Sequence, residues 1–155
     1  RVRKKLRTRR GSYILLISVD EDCWISLGAL GETFFPTGVY AYAGSALNSL
    51  DGRLRRHFSS KRKMHWHIDY LLEKGGAVDA YALPSTTRME CMLNALVDSL
   101  DGSREFAPGF GCSDCGCRTH LHRLELSAID QLHDFLCAFE WDDAKGQKAR
   151  KPAVP

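Results

Sequence analysis

Tyr42 and Gly44 close an alternating run, Gly38-Val39-Tyr40-Ala41-Tyr42-Ala43-Gly44-Ser45-Ala46, and Arg53 and His57 follow it in a basic segment. Alternation reads as a strand, and an i, i+4 pair shares one helix face, so a strand end and a basic helix should meet here. Tyrosine, arginine and histidine brought together supply a proton acceptor, a fixed cation and a second proton-handling group. Phosphodiester chemistry needs those three things. Upstream, Gly11-Ser12-Tyr13 opens another strand and can deliver a second tyrosine to the same sheet.

Each candidate also has a plainer reading. Tyrosines suit strands through packing alone, and a tyrosine with a pKa near 10 is a poor base at neutral pH unless a cation stands beside it. Arg53 can engage a phosphate through two hydrogen bonds, or can simply face water. Glu90 opens a predicted helix, where a carboxylate offsets the helix dipole. In His65-Trp66-His67-Ile68-Asp69-Tyr70 the two histidines share a face if extended and diverge if helical, and Asp69 can orient a histidine. Cys112-Ser113-Asp114-Cys115-Gly116-Cys117, followed by His120 and His122, offers zinc ligands. The C-x-x-C-x-C spacing is cramped for one tetrahedral site, so Cys115, Cys117 and His120 would need a remote histidine as the fourth ligand. Asp114 is the alternative there, as a loop carboxylate near the cleft.

The elements that must position these residues read as follows. Gly11–Val19 is a buried strand, and Cys23–Leu27 returns as its hairpin partner after Asp20-Glu21-Asp22. Glu32–Phe35 is a short edge strand and Val39–Ala43 the third main strand. A helix covers about Gly52–Phe58 after the Asn48–Asp51 cap region, and His67–Lys74 is a second, stopped by Gly75-Gly76. Ala77–Leu83 is a strand. Thr86 or Thr87 caps a helix to about Leu100 whose Met89, Met92, Leu93, Leu96 and Leu100 face one side. A loop spans Gly102–Cys117, His120–Leu126 is the last strand, and Ser127 caps a last helix to about Phe139. The fold class is α+β: a small, mainly antiparallel sheet flanked by helices, with an added C-terminal strand and helix. Residues 11–140 form a single domain between a flexible basic arm, 1–10, and a flexible basic tail, 141–155.

At 155 residues the chain fits one domain with a real core. No apolar run approaches the roughly 18 residues of a membrane span, and no apolar segment follows the arginine-rich start to make a signal peptide. Three of the six cysteines crowd into Cys112–Cys117, unlike a secreted disulfide framework, which points to a reducing cytoplasm. The net charge of +3 conceals two opposite parts. The first ten residues hold seven basic side chains and the last eleven hold four, so the remaining 11 Lys and Arg face all 19 acids. Against that acidic body, Arg53, Arg55, Arg56, Lys61, Arg62 and Lys63 form a local basic cluster able to hold a phosphate backbone with marked salt sensitivity.

Gly11-Ser12-Tyr13 and Tyr42-Ala43-Gly44 resemble the two halves of the motif that names the GIY-YIG nuclease superfamily. The wider set is most similar to one branch, the mostly archaeal domain of unknown function 123: Tyr42-Ala43-Gly44-Ser45-Ala46, Arg56-His57, His65–Tyr70 and Gly109-Phe110-Gly111-Cys112-Ser113-Asp114-Cys115, in order. The resemblance runs from Gly11 to about Leu124. It implies a metal-dependent endonuclease acting on nucleic acid, with DNA as the expected partner and no membrane. It implies Tyr42, assisted by Tyr13, as the group that deprotonates water, Arg53 and His57 as the phosphate-handling pair, and Glu90 as the carboxylate holding Mg²⁺ or Mn²⁺. Arg55, Arg56, Lys61, Arg62 and Lys63 are expected to contact nucleic acid. His65, His67, Asp69, Asp114, Cys115, Cys117 and His120 are further candidates. The sequence departs from the superfamily pattern at Ser45, where many catalytic members carry a cation, and it lacks a recognisable late asparagine. The alternatives are a nucleic-acid-binding module of the same fold without turnover and, third, a zinc-stabilised adaptor.

Overall fold

The computed structural model describes residues 10–61, 63–112, 115–137, 140–142 and 147–150. Strand β1 (Gly11–Val19) is an interior strand, buried along nearly its whole length. Its side chains alternate between two cores, Tyr13, Leu15, Ile17 and Val19 into one and Ile14 and Leu16 into the other. A strand covered on both faces must be apolar throughout, which is why Tyr13–Ile17 shows no polar alternation. β2 (Cys23–Ser26) and β3 (Glu32–Phe35) follow, then β4 (Gly38–Ala46), α1 (Leu50–Phe58), α2 (His67–Lys74) and β5 (Gly76–Pro84). α3 (Glu90–Asp98), β6 (Ser103–Glu105), β7 (Leu121–Leu124) and α4 (Leu126–Cys137) complete the described body. The main sheet has the order β5-β1-β4-β7-β6 with every pairing antiparallel. The α+β expectation holds, with helices on both faces of the sheet: α1 and α2 contribute Leu50, Ile68, Leu71 and Leu72 to the first core, α3 and α4 contribute Leu93, Val97, Ala128 and Leu132 to the second.

Three local expectations are corrected. β2 does not form a hairpin with β1, because β4 and β5 occupy both edges of β1; it pairs instead with β3 in a separate ribbon. The Asp22 carboxylate closes the open end of that ribbon by accepting from Thr37 N–H at 2.7 Å and Thr37 Oγ1 at 2.9 Å. α3 starts at Glu90 rather than at a threonine cap, since Ser85 Oγ accepts from Thr87 N–H and Ser12 Oγ accepts from Met89 N–H at 2.8 Å. Its inward face is Leu93, Asn94 and Val97, with Met92 turned out to solvent. Asn94 is buried because its amide donates to the Thr119 carbonyl at 2.8 Å, which satisfies a donor that would otherwise be costly inside.

Residues 140–142, at the junction of the domain and the expected tail, pair with 147–150 of that tail as an antiparallel ribbon, β8 and β9. Most of the basic arm, together with Arg62, Asp114 and residues 143–146 and 151–155, lies outside the described residues. Among the described residues no helix is long and apolar enough to cross a membrane.

Candidate active site

The ends of β1 and β4 nearest Gly11 and Ala46 form the floor of a polar cleft of about 440 Å³. Tyr13, Tyr42, Gly44 and Ser45 come from the sheet, Arg53 and His57 from α1, and His65, Trp66, His67 and Ile68 from the entry to α2. Arg88, Glu90 and Gly111 close the remaining side. All five residues expected at the centre, Tyr13, Tyr42, Arg53, His57 and Glu90, therefore line one cavity. So do both histidines of the 65–70 block.

The register explains how two tyrosines share a face. Tyr13 pairs with Gly44 and Leu15 with Tyr42, so their side chains rise on the same side with rings 6.2 Å apart. Gly44 is required there: a Cβ would sit 2.6 Å from Tyr13 Oη. Tyr13 is 1% exposed, and its hydroxyl lies 2.7 Å from His57 Nε2. Burial pushes the Tyr13 phenol well above its ordinary range, with the Arg53 guanidinium only partly opposing it. Tyr42, more open to the cleft, is raised too, first by burial and then by the neighbouring Tyr13 and Glu90. Both phenols are neutral at pH 7.

Arg53 is held in place from two sides. Its Nη1 donates to the Ser45 carbonyl at 2.9 Å and its guanidinium rests 4.4 Å from the centre of the Trp66 ring. Arg56 lies against the same ring at 4.6 Å. Two guanidiniums on one indole make Trp66 the brace of the cationic wall. Ser49 caps α1 by accepting from Gly52 N–H at 2.9 Å, which orients the helix that carries both arginines.

Asp69 does not orient a histidine. It is fully buried and takes Arg56 in a two-pronged pair, Nη1 to Oδ1 at 2.7 Å and Nη2 to Oδ2 at 2.9 Å. Its Oδ2 also accepts from the backbone N–H of His65 at 2.9 Å and of Trp66 at 2.8 Å. Burial alone would raise this carboxyl, but Arg56 and the two backbone donors outweigh it and hold the pKa below the ordinary 3.8. Arg56 further donates to the Lys63 carbonyl, so its guanidinium is committed within the protein. Arg55, Lys61 and Lys63 are exposed and are not part of the cleft lining. His67 Nδ1 accepts from Gly111 N–H at 3.0 Å, and burial lowers its pKa from 6.5. Gly111 itself has φ +71° and lies against the Tyr42 ring, a position that suits only glycine.

Cys115, Cys117 and His120 stand apart from the cleft lining, in a cluster completed by Cys91 on the first turn of α3. The fourth member is thus a cysteine, not the remote histidine expected. Cys112 lies beside Cys115 but is not one of the four, its thiol donating to the Phe110 carbonyl at 3.3 Å.

Two cleft residues escaped sequence reasoning. Arg88 is visible in the sequence only as a basic residue shortly before Glu90, and Trp66 only as one member of the His65–Tyr70 block.

An α+β domain whose sheet ends in a polar, tyrosine-lined cleft is the class that these features define. The model of the family described as domain of unknown function DUF123 matches residues 12–140, and the chain belongs to that family. No curated protein and no solved structure matches the chain.

Proposed function

We propose that the cleft is the site of a metal-dependent endonuclease of the GIY-YIG kind, hydrolysing phosphodiester bonds in nucleic acid, with DNA as the substrate. The convergence of Tyr13, Tyr42, Arg53, His57 and Glu90 on one polar cavity carries this reading. Glu90 fits a hard divalent cation: it is an oxygen donor on a cleft wall, and its carboxylate has no hydrogen bond or ion pair among the described residues. Mg²⁺ or Mn²⁺ held there would neutralise charge on the scissile phosphate and draw its remaining ligands from water and substrate.

The protein's own groups divide the rest of the work. Arg53, pre-set by Ser45 and Trp66, meets the phosphate oxygens and stabilises the charge that grows as water attacks phosphorus. Arg88 supplies a second cation in the cleft, which offsets the loss of one at Ser45. Tyr42 is the phenol open to the attacking water. Being neutral at pH 7, it accepts a proton only as its own is released, so cleavage should steepen with pH. Tyr13 and His57 hold one another at 2.7 Å and fix the position of that neighbouring ring. Arg55, Lys61 and Lys63 offer phosphate contacts outside the cleft.

A binding module without turnover is the second reading. It is favoured by Ser45, whose hydroxyl is tied to Ser12 at 2.7 Å where a catalytic cation would stand. Incubation with supercoiled and single-stranded DNA in Mg²⁺ or Mn²⁺ separates the two. Cleavage that disappears in Arg53→Ala and Glu90→Ala supports the enzyme. Salt-sensitive binding with no cleavage in any metal sinks it.

A further inference from the structure

The geometry points to a structural zinc site formed by Cys91, Cys115, Cys117 and His120. Their ligand atoms all lie within 4.8 Å of one another. A tetrahedral zinc with Zn–S near 2.3 Å and Zn–N near 2.0–2.1 Å has N···S edges of about 3.6 Å and S···S edges of about 3.8 Å. The distances from His120 Nε2 to Cys115 Sγ and Cys91 Sγ, 3.3 and 3.8 Å, bracket that N···S edge.

The imidazole is prepared for this role by its other nitrogen. His120 Nδ1 lies 3.1 Å from the Ala43 carbonyl, which can only accept, so the ring proton resides on Nδ1 and the Nε2 lone pair faces the thiols. The ring is 1% exposed, and the backbone that carries it is fixed by bonds to Ala43 N–H and the Phe110 carbonyl. Three sulfurs beside an imidazole nitrogen suit a soft or borderline cation and not the hard one proposed at Glu90. With four protein ligands the zinc would have no open position, which makes it a structural ion rather than a catalytic one.

Its place in the fold gives it a task. Cys91 directly follows Glu90, and Ala43 lies between Tyr42 and Gly44. Zinc would clamp the turn that carries Arg88 and Glu90 to the strand that carries Tyr42, through ligands that follow β6 and precede β7. The site stands independently of the nuclease reading, since metal content can be measured without any substrate.

The test is metal analysis of the full chain, purified under reducing conditions without added metal or chelator, with competition against a chromogenic zinc chelator. About one zinc per chain is expected. Cys91→Ser is the informative variant because Cys91 is exposed and its loss leaves both cores intact. It should weaken zinc retention by at least about tenfold, whereas Cys112→Ser should leave it unchanged. Co²⁺ in place of zinc should give a thiolate charge-transfer band that is diminished in Cys91→Ser. Zinc below about one-tenth of an equivalent, both as purified and after loading with Zn²⁺ and desalting, overturns the site. So does a Cys91→Ser protein that holds zinc as the wild type does, or an equal loss in Cys112→Ser.

Discussion

Tyr13 Oη and His57 Nε2 lie 2.7 Å apart, and this bond joins β1 to α1 inside the core. It decides which tyrosine can do chemistry. A phenol that is sealed, neutral and already bonded serves best as a support, while Tyr42, 6.2 Å away ring to ring, keeps an open approach from the cleft. The support depends in turn on a strand position with no side chain, Gly44.

Gly44→Ala should therefore be disruptive although alanine is a small addition. The new Cβ would meet Tyr13 Oη at 2.6 Å and Cζ at 2.7 Å, and the β1–β4 pairing holds Gly44 in register opposite Tyr13. Overpacking of this kind costs about 1–3 kcal/mol. Urea unfolding should show a lower midpoint by that amount. An unchanged midpoint would mean that Tyr13 is not held over Gly44.

Arg56→Ala should act on stability more than on nucleic-acid affinity. It strands the fully buried Asp69 carboxylate, and breaking such a pair costs about 3–5 kcal/mol. Lys63→Ala, by contrast, removes an exposed charge and should lower the salt dependence of DNA binding with little change in unfolding. If Arg56→Ala unfolds like the wild type and only binds more weakly, the pairing with Asp69 is not what holds the arginine.

What the sequence makes legible here is what short-range periodicity records. α2 lies over His67–Lys74 as its apolar spacing and following glycines predict, and Arg53 and His57 fall on one face because i and i+4 do so in any helix. Contacts across the fold leave no such trace. Arg56 finds Asp69 across a helix–helix turn, and Cys91 reaches Cys115 only because α3 packs beside the loop. β2 reads as the partner of β1 because local turn signals say nothing about edges filled later in the chain. The threonines at 86 and 87 likewise read as caps until Ser12, far upstream, claims the Met89 N–H.

Stability should be flat between about pH 6.5 and 10 and fall on both sides. His67 has a folded pKa below its ordinary 6.5, so its contribution is complete above that value and is lost as pH falls through the folded pKa, when protonation removes the acceptor for Gly111 N–H. Asp69, held below 3.8, adds a second loss further into acid. Tyr13 has the opposite sign: its pKa is raised, so its contribution is complete below 10.0 and is lost as pH climbs toward the folded value. Urea midpoints measured across pH check all three. Tyr42 is raised as well, so Tyr13→Phe should make the alkaline limb shallower without abolishing it, and an alkaline fall as steep in that variant as in the wild type would remove Tyr13 from the account.

The two tyrosines should also separate kinetically if the cleft cleaves DNA. Tyr42→Phe removes the phenol open to the attacking water and should cost about 10²–10⁴-fold in kcat, the usual range for a positioned general base. It should also abolish the rise of rate with pH, because no acceptor is left to titrate there. Tyr13→Phe loses the bond to His57 and the hydroxyl's interaction with Arg53 but leaves the phenol of Tyr42 in place, so it should lower the rate by no more than about tenfold, roughly 1.4 kcal/mol, and keep the wild-type pH slope. His57→Ala should resemble Tyr13→Phe rather than Tyr42→Phe, since the two partners share one bond. Single-turnover rates in Mn²⁺ across pH 6.5–10, where the fold is expected to be constant, read this directly. A Tyr13→Phe protein that loses the pH slope while Tyr42→Phe retains it would exchange the two roles and make the buried phenol the base.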